Sequence, residues 1–287
     1  MPSGILIMDK PSGWTSMDVC AKLRGILGER RIGHAGTLDP MATGVLPVFV
    51  GQATKAVSFA ESGEKEYVAR LRLGLVTDTQ DMSGRVLEQQ EARVSSEQLQ
   101  AVLPRFTGEI AQIPPMYSAI KIGGKKLYQM ARKGVEVERK PRKIHIFSLQ
   151  VEGEDSVGDV ILRVRCSKGT YIRTLCHDIG QALGCGGCMS ALRRTEAAGF
   201  SLAQAVTLED VQSAGQALLL PLDTLFSQDP PLVLTPKAER AARCGSPLLL
   251  PETPEGIYRL YGAEGEFLCL SRSEAGKLTS IKNFFGA

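Results

Sequence analysis

An imidazole and a carboxylate stand five residues apart in the stretch Gly33-His-Ala-Gly-Thr-Leu-Asp-Pro-Met-Ala-Thr-Gly-Val-Leu-Pro47, between the basic pair Arg30-Arg31 and an apolar run. Three glycines and two prolines make this a loop, and loops held by rigid neighbours are where catalytic groups tend to sit. Asp39 is anionic at neutral pH, so it suits nucleophilic attack, proton abstraction or stabilisation of a cationic centre. By residue type alone, an Asp before a Pro is more often a turn former than a catalyst, and His34 is more often a hydrogen-bonded loop residue. Tyr67 reads equally well as a core tyrosine with a satisfied hydroxyl. Arg173, off the apolar stripe of its helix, reads as a surface arginine. Cys185-Gly-Gly-Cys188 has the spacing of half a zinc site, but such a site needs four ligands and only His177 lies nearby. Small packing thiols are expected there, and no metal.

The elements that must position these groups alternate between helical and strand periodicity, which points to an α+β fold with a mixed, mainly antiparallel sheet flanked by helices and loops. The amino terminus reads as a strand. Val19, Leu23, Ile26 and Leu27 follow the possible caps Thr15 and Ser16 and predict a helix. Ser95 and Gln98 form a capping box ahead of Leu99, Val102, Leu103 and Phe106. A third helix starts near Thr170, with the stripe Ile172, Leu175, Ile179 and Leu183 and a terminator in Gly184. Tyr67, Ala69, Leu71 and Leu73 alternate with polar neighbours and place the phenol on the inward face of a strand, as Val160, Leu162, Val164 and Cys166 do for a second one. Gly123-Gly124 predicts a hairpin turn. The Pro-rich passage Asp229-Pro230-Pro231 marks a boundary between a catalytic domain over 1–229 and a small β-rich domain over 230–287.

Composition narrows the class. The chain has 287 residues, 43% of them apolar, and a formal charge of only +3, which excludes a highly charged disordered protein and gives enough chain to bury a large core. Seven cysteines, unevenly spaced, read as reduced thiols and a cytoplasmic location. The amino terminus lacks a basic lead and no apolar run is long enough for a membrane span, so no membrane association is expected. The balance hides an asymmetry: residues 1–150 hold 21 basic and 15 acidic side chains, and residues 151–287 hold 13 and 16. Within the first half, Lys121 to Lys143 gathers nine basic residues against Glu136 and Glu138. Such a run is either a solvated loop or a phosphate-binding arm.

The loop resolves these alternatives. Gly36-Thr-Leu-Asp39-Pro-Met-Ala-Thr-Gly-Val-Leu-Pro47 closely resembles the catalytic motif of the TruB family of tRNA pseudouridine synthases, and further blocks follow in family order over roughly residues 5–225. They are Asp9-Lys-Pro-Ser-Gly13, Lys65-Glu-Tyr67, Leu73 to Gly84, Phe106 to Lys121 continuing to Tyr128 and Gly134, Gly169-Thr-Tyr-Ile-Arg173, and Leu192-Arg-Arg-Thr195. The resemblance implies the pseudouridine synthase fold with a PUA-like carboxyl-terminal domain, although residues 230–287 match that domain weakly and are near charge balance.

What the resemblance implies chemically is isomerisation without a cofactor of the T-loop uridine of tRNA, position fifty-five in tRNA numbering, to pseudouridine. The base leaves through N1 and returns through C5. Asp39 would meet the ribose as nucleophile or base, Tyr67 would stack on the base and help remove the C5 proton, Arg173 would orient Asp39, and Leu192 would close the apolar side of the pocket. The uridine must be flipped out, at a cost of a few kcal/mol, with His34 filling the gap. Lys10 and an arm over about 121–143, with Lys121, Lys125, Lys126 and Arg132, would bind the RNA. The partner is the tRNA T arm, the enzyme a monomer, and a T-arm folding chaperone is a second role. Two positions depart from the pattern: Gly187-Cys188, where the family commonly has Ala-His or Ala-Tyr, and Glu196.

Overall fold

The computed structural model describes residues 2–285. The amino-terminal part forms β1 (Gly4–Lys10), α1 (Ser16–Leu27), β2 (Ile32–His34) and β3 (Thr43–Val50). A short α2 (Val57–Ser62) leads into β4 (Lys65–Leu73). The paired strands β5 (Leu75–Thr77) and β6 (Val86–Gln89) precede α3 (Ser96–Val102) and β7 (Gly108–Gln112). Next come the small hairpin β8 (Lys121–Ile122) and β9 (Lys125–Lys126), α4 (Leu127–Ala131), the long β10 (Arg142–Glu154), β11 (Val160–Cys166), α5 (Ile172–Ala182), β12 (Gly187–Ala197) and β13 (Phe200–Ser201). The remainder holds α6 (Leu208–Ala214), β14 (Pro231–Val233), α7 (Pro236–Arg243), β15 (Leu248–Leu249), β16 (Gly256–Tyr261), β17 (Phe267–Glu274) and β18 (Lys277–Asn283).

Nine strands form the central sheet in the order β1-β3-β12-β4-β11-β10-β7, with β2 beside β3 and β13 beside β12. Its ladders are antiparallel except for the short β3–β12 pair, Thr43 opposite Arg193 and Gly44 opposite Arg194. Alternation in β4 buries Tyr67, Ala69 and Leu71 and turns Arg70 outward, as expected of a sheet with one wet face. On the buried face, Val19 and Leu23 of α1 and Leu175 and Ile179 of α5 complete the core. The other face carries ion pairs such as Arg163–Glu66 at 2.6 Å and Arg165–Glu64 at 2.8 Å.

The helix starts follow their caps. Thr15 caps α1 in a capping box with Asp18, Gly28 ends the helix at φ 64°, and Ser95 and Gln98 cap α3 reciprocally. Ser16, the other candidate cap, is buried and bonds elsewhere. The departure at Gly187 has a packing reason: a Cβ on Gly180 of α5 would lie 2.3 Å from the Gly187 nitrogen, so the helix backbone rides directly on β12. Cys188 is buried there, its thiol against the Met82 sulfur at 3.7 Å.

Beyond Pro230, five strands pair in the order β14-β16-β17-β18-β15 around a small core of Leu234, Leu260, Leu268 and Leu278. This sheet is not separate from the body. Phe226, Phe267 and Phe284 cluster with Phe59, and the same cluster reaches Ala53 and Ala56.

Candidate active site

Asp39 lies in the connection between β2 and β3, and three tethers fix it. The Ser16 hydroxyl accepts from Leu38 N–H at 2.9 Å and donates to Leu38 O at 3.3 Å. The Lys10 ammonium donates to the carbonyls of Pro11, Trp14 and Pro40 at 2.9, 2.6 and 3.1 Å, and Gly13 N–H donates to the same Pro40 oxygen at 2.8 Å. Ala42 N–H closes a turn onto Asp39 O at 3.0 Å. The Asp-Pro turn is therefore real, and it is also what aims the carboxylate.

That carboxylate opens into a cleft of about 330 Å³ whose lining includes Tyr67, Tyr171, Arg173, Leu192 and Arg194, a volume suited to one small ligand. A larger groove of about 880 Å³ lies between α3 and the β10–β11 hairpin. Its charged pair, Arg72 and Asp159, is already joined at 2.6 Å.

Arg173 is buried against Asp39, where its residue type alone suggested the surface. Its Nε meets Asp39 Oδ2 at 2.9 Å and its Nη2 meets Oδ1 at 3.3 Å, a two-pronged contact that sets the carboxylate's plane. The remaining donors go to Thr79 O at 3.1 Å, Tyr117 O at 3.0 Å and Asp81 Oδ2 at 3.4 Å. Burial raises the Asp39 pKa; the Arg173 guanidinium opposes the rise and the Asp81 charge adds to it. Asp81 was recognisable only as part of a motif block, with no role attached, because nothing local says that the β5–β6 connection folds back onto α5.

Tyr67 is 7% exposed and Leu192 8%, and both face the cleft from neighbouring strands. Burial pushes the phenol above its ordinary pKa. Two further cations line this wall, neither singled out from the sequence. Lys65 donates to Glu61 O and Gly63 O at 3.1 and 2.7 Å, and burial lowers its pKa to about 8. Arg194 is wholly buried.

The other expected contacts fall elsewhere. Lys10, expected to touch substrate, is fully buried with its ammonium on three carbonyls, so the correction is from ligand contact to loop tether. His34 is half-buried on β2, outside the cleft lining, with Nδ1 unpartnered among the described residues. Lys121 and Lys125 are exposed on the β8–β9 hairpin, Lys126 is half-buried, and Arg132 is exposed just past α4. None of the four lines the cleft. The hairpin springs from its rim at Ala119, and Lys126 and Arg132 flank the Tyr128 ring at 5.6 and 5.4 Å.

Residues 24–172 match the sequence model of the TruB family pseudouridylate synthase N-terminal domain, and residues 173–227 match that of the tRNA pseudouridylate synthase B C-terminal domain. The chain is 45% identical over 282 residues to tRNA pseudouridine synthase B of Azoarcus sp. (strain BH72), covering 96% of this chain and 92% of that protein. It is 50% identical over 223 residues to the protein of the same name from Alkaliphilus oremlandii, covering 77% and 74%. Among solved structures it is similar to the Cbf5–Nop10–Gar1 complex, with a TM-score of 0.76 at 27% identity over 98% of this chain and 85% of that one. An H/ACA RNP bound to a substrate RNA containing 2′-deoxyuridine gives 0.74 at 25% identity, over 98% and 85%.

Proposed function

Since the chain belongs to the TruB family, whose members isomerise uridine to pseudouridine in tRNA, we propose that it acts on the T-loop uridine at position fifty-five, with Asp39 as the group that meets the ribose. One observation carries this reading: a carboxylate open to a cleft and gripped by a buried guanidinium whose other donors are all occupied. An oxocarbenium-like sugar needs an anion at a fixed distance and angle, and Arg173 supplies the fixing. In this reading the flipped base lies against Tyr67 with Leu192 closing its apolar side, and Tyr67 receives the C5 proton. The exposed cations of the β8–β9 hairpin at the cleft rim suit the phosphates of the T arm.

A T-arm folding role would need only the basic surface, not the grouping of Asp39, Tyr67 and Arg173, so the enzyme is the primary reading. Tritium release from C5-labelled uridine in a T-arm stem-loop tests it. Asp39→Asn should lower turnover on the order of ten-thousandfold while stem-loop binding is largely kept. Equal release by both proteins would discard the role given to Asp39.

A further inference from the structure

Arg194 heads the fully buried side chains, at 0% exposure, and stands in the wall of the cleft. Its Nε donates to Val45 O at 2.7 Å and its Nη2 to Gly36 O at 2.9 Å, so one guanidinium bridges both ends of the loop that carries Asp39. Among the described residues, Nη1 is buried with no hydrogen-bond partner. The antiparallel register puts Arg194 directly opposite Tyr67, and residues so paired project from the same sheet face with their Cβ atoms about 5 Å apart. A buried donor left unpaired is costly, and the group that faces it across the strand pair is a phenol.

We propose that Arg194 is a positioning residue for the isomerisation: from across the strand pair its free Nη1 and its charge favour the phenolate of Tyr67 against the burial that opposes it, the phenolate being the form able to take the proton from C5. The inference rests on the reading of Tyr67 as the C5 base. In that step the C5–H bond breaks and its proton goes to the phenolate oxygen. The C5–H electron pair becomes C5=C6, and the C6=N1 pair falls back on N1, which takes up a proton from solvent. The phenol has by then lost its own proton to solvent, so nothing is oxidised or reduced and the proton count closes.

The charges around the pair favour this division of labour. Burial raises the Tyr67 pKa; the charge of Arg194 acts against the rise, while Cys166 on β11 and Asp39 on the loop add to it. Facing Arg194 are Lys10, His34 and Lys65, all of which its charge lowers further, the two lysines to about 8. Those groups shed charge readily. A guanidinium does not, which leaves Arg194 as the permanent cation beside the phenol.

The test is the pH profile of C5-tritium release from a labelled T-arm stem-loop. Arg194→Gln, which removes the charge but keeps an amide nitrogen in the place of Nε, should move the profile to higher pH by about one unit or more, a loss of about tenfold or more at neutral pH. Arg194→Lys, which can shed its charge as the neighbouring lysines do, should move it the same way by a smaller step, and should Arg194→Gln fail to fold, that variant decides alone. A profile unmoved in Arg194→Gln, or unmoved in Arg194→Lys where Arg194→Gln does not fold, would overturn the proposal and leave Arg194 as a loop tether. The Tyr67 reading is tested separately: wild-type tritium release by Tyr67→Phe removes the base, whatever Arg194 does.

Discussion

At the scale of single residues, the site is a carboxylate that the fold both gathers in and keeps charged. Burial favours the neutral acid, and the Arg173 fork favours the anion. Because the folded pKa of Asp39 lies above its unfolded value, its ionised form costs the fold stability that returns as the pH falls. Activity runs the other way, since protonation removes the anion. The acid limb of kcat/KM for tritium release should therefore lie above the ordinary carboxylate value of about 4. Asp81→Asn, which removes a charge that raises Asp39, should move that limb to lower pH while the loosened Arg173 lowers the rate. A limb that stays in place would mean that another group sets it.

At the scale of elements, the loop that carries Asp39 is held by what precedes and follows it. Helix α1 offers Ser16 to Leu38, β1 ends in Lys10 under Pro40, and β3 and β12 run parallel for two residues where the loop ends. Gly44 makes that crossing possible: at φ 98° a Cβ there would sit 2.2 Å from Arg194 O, closer than any side chain tolerates. Ser16→Ala strands the buried Leu38 N–H without an acceptor. It should cost about 1–2 kcal/mol in urea unfolding and lower kcat more than it raises KM, because the carboxylate loses its aim rather than its chemistry. That loss of stability with unchanged kcat would show the tether to be structural only.

For the whole molecule, we propose that residues 230–285 are a small β-rich unit built onto the catalytic body rather than strung from it. Phe284 stacks on Phe267 at 5.3 Å and lies 5.7 Å from Phe226 and 6.5 Å from Phe59, ring centre to ring centre. Phe284→Ala should destabilise the protein by about 3 kcal/mol, and wild-type thermal unfolding should be one transition by calorimetry. Two resolved transitions would show the carboxyl-terminal sheet to be independent.

Local patterns were enough to read the strands around Tyr67 and Val160, the caps at Thr15 and Ser95, the Gly-Gly hairpin and the order of the motif blocks. Each of the local elements depends on neighbours within a few residues along the chain, and the order of the blocks is itself linear sequence. Periodicity left Arg173 at the surface and the family resemblance alone turned it toward Asp39, whereas tertiary structure alone decided that Lys10 is a tether, that His34 lies outside the cleft, and that Asp81 and Arg194 join the site. The Asp39 and Arg173 side chains meet across 134 residues of chain, and the Arg194 side chain meets the Gly36 carbonyl across 158. Such contacts are set by how the sheet orders its strands and how α5 lies on it, and helical or strand periodicity carries no record of either.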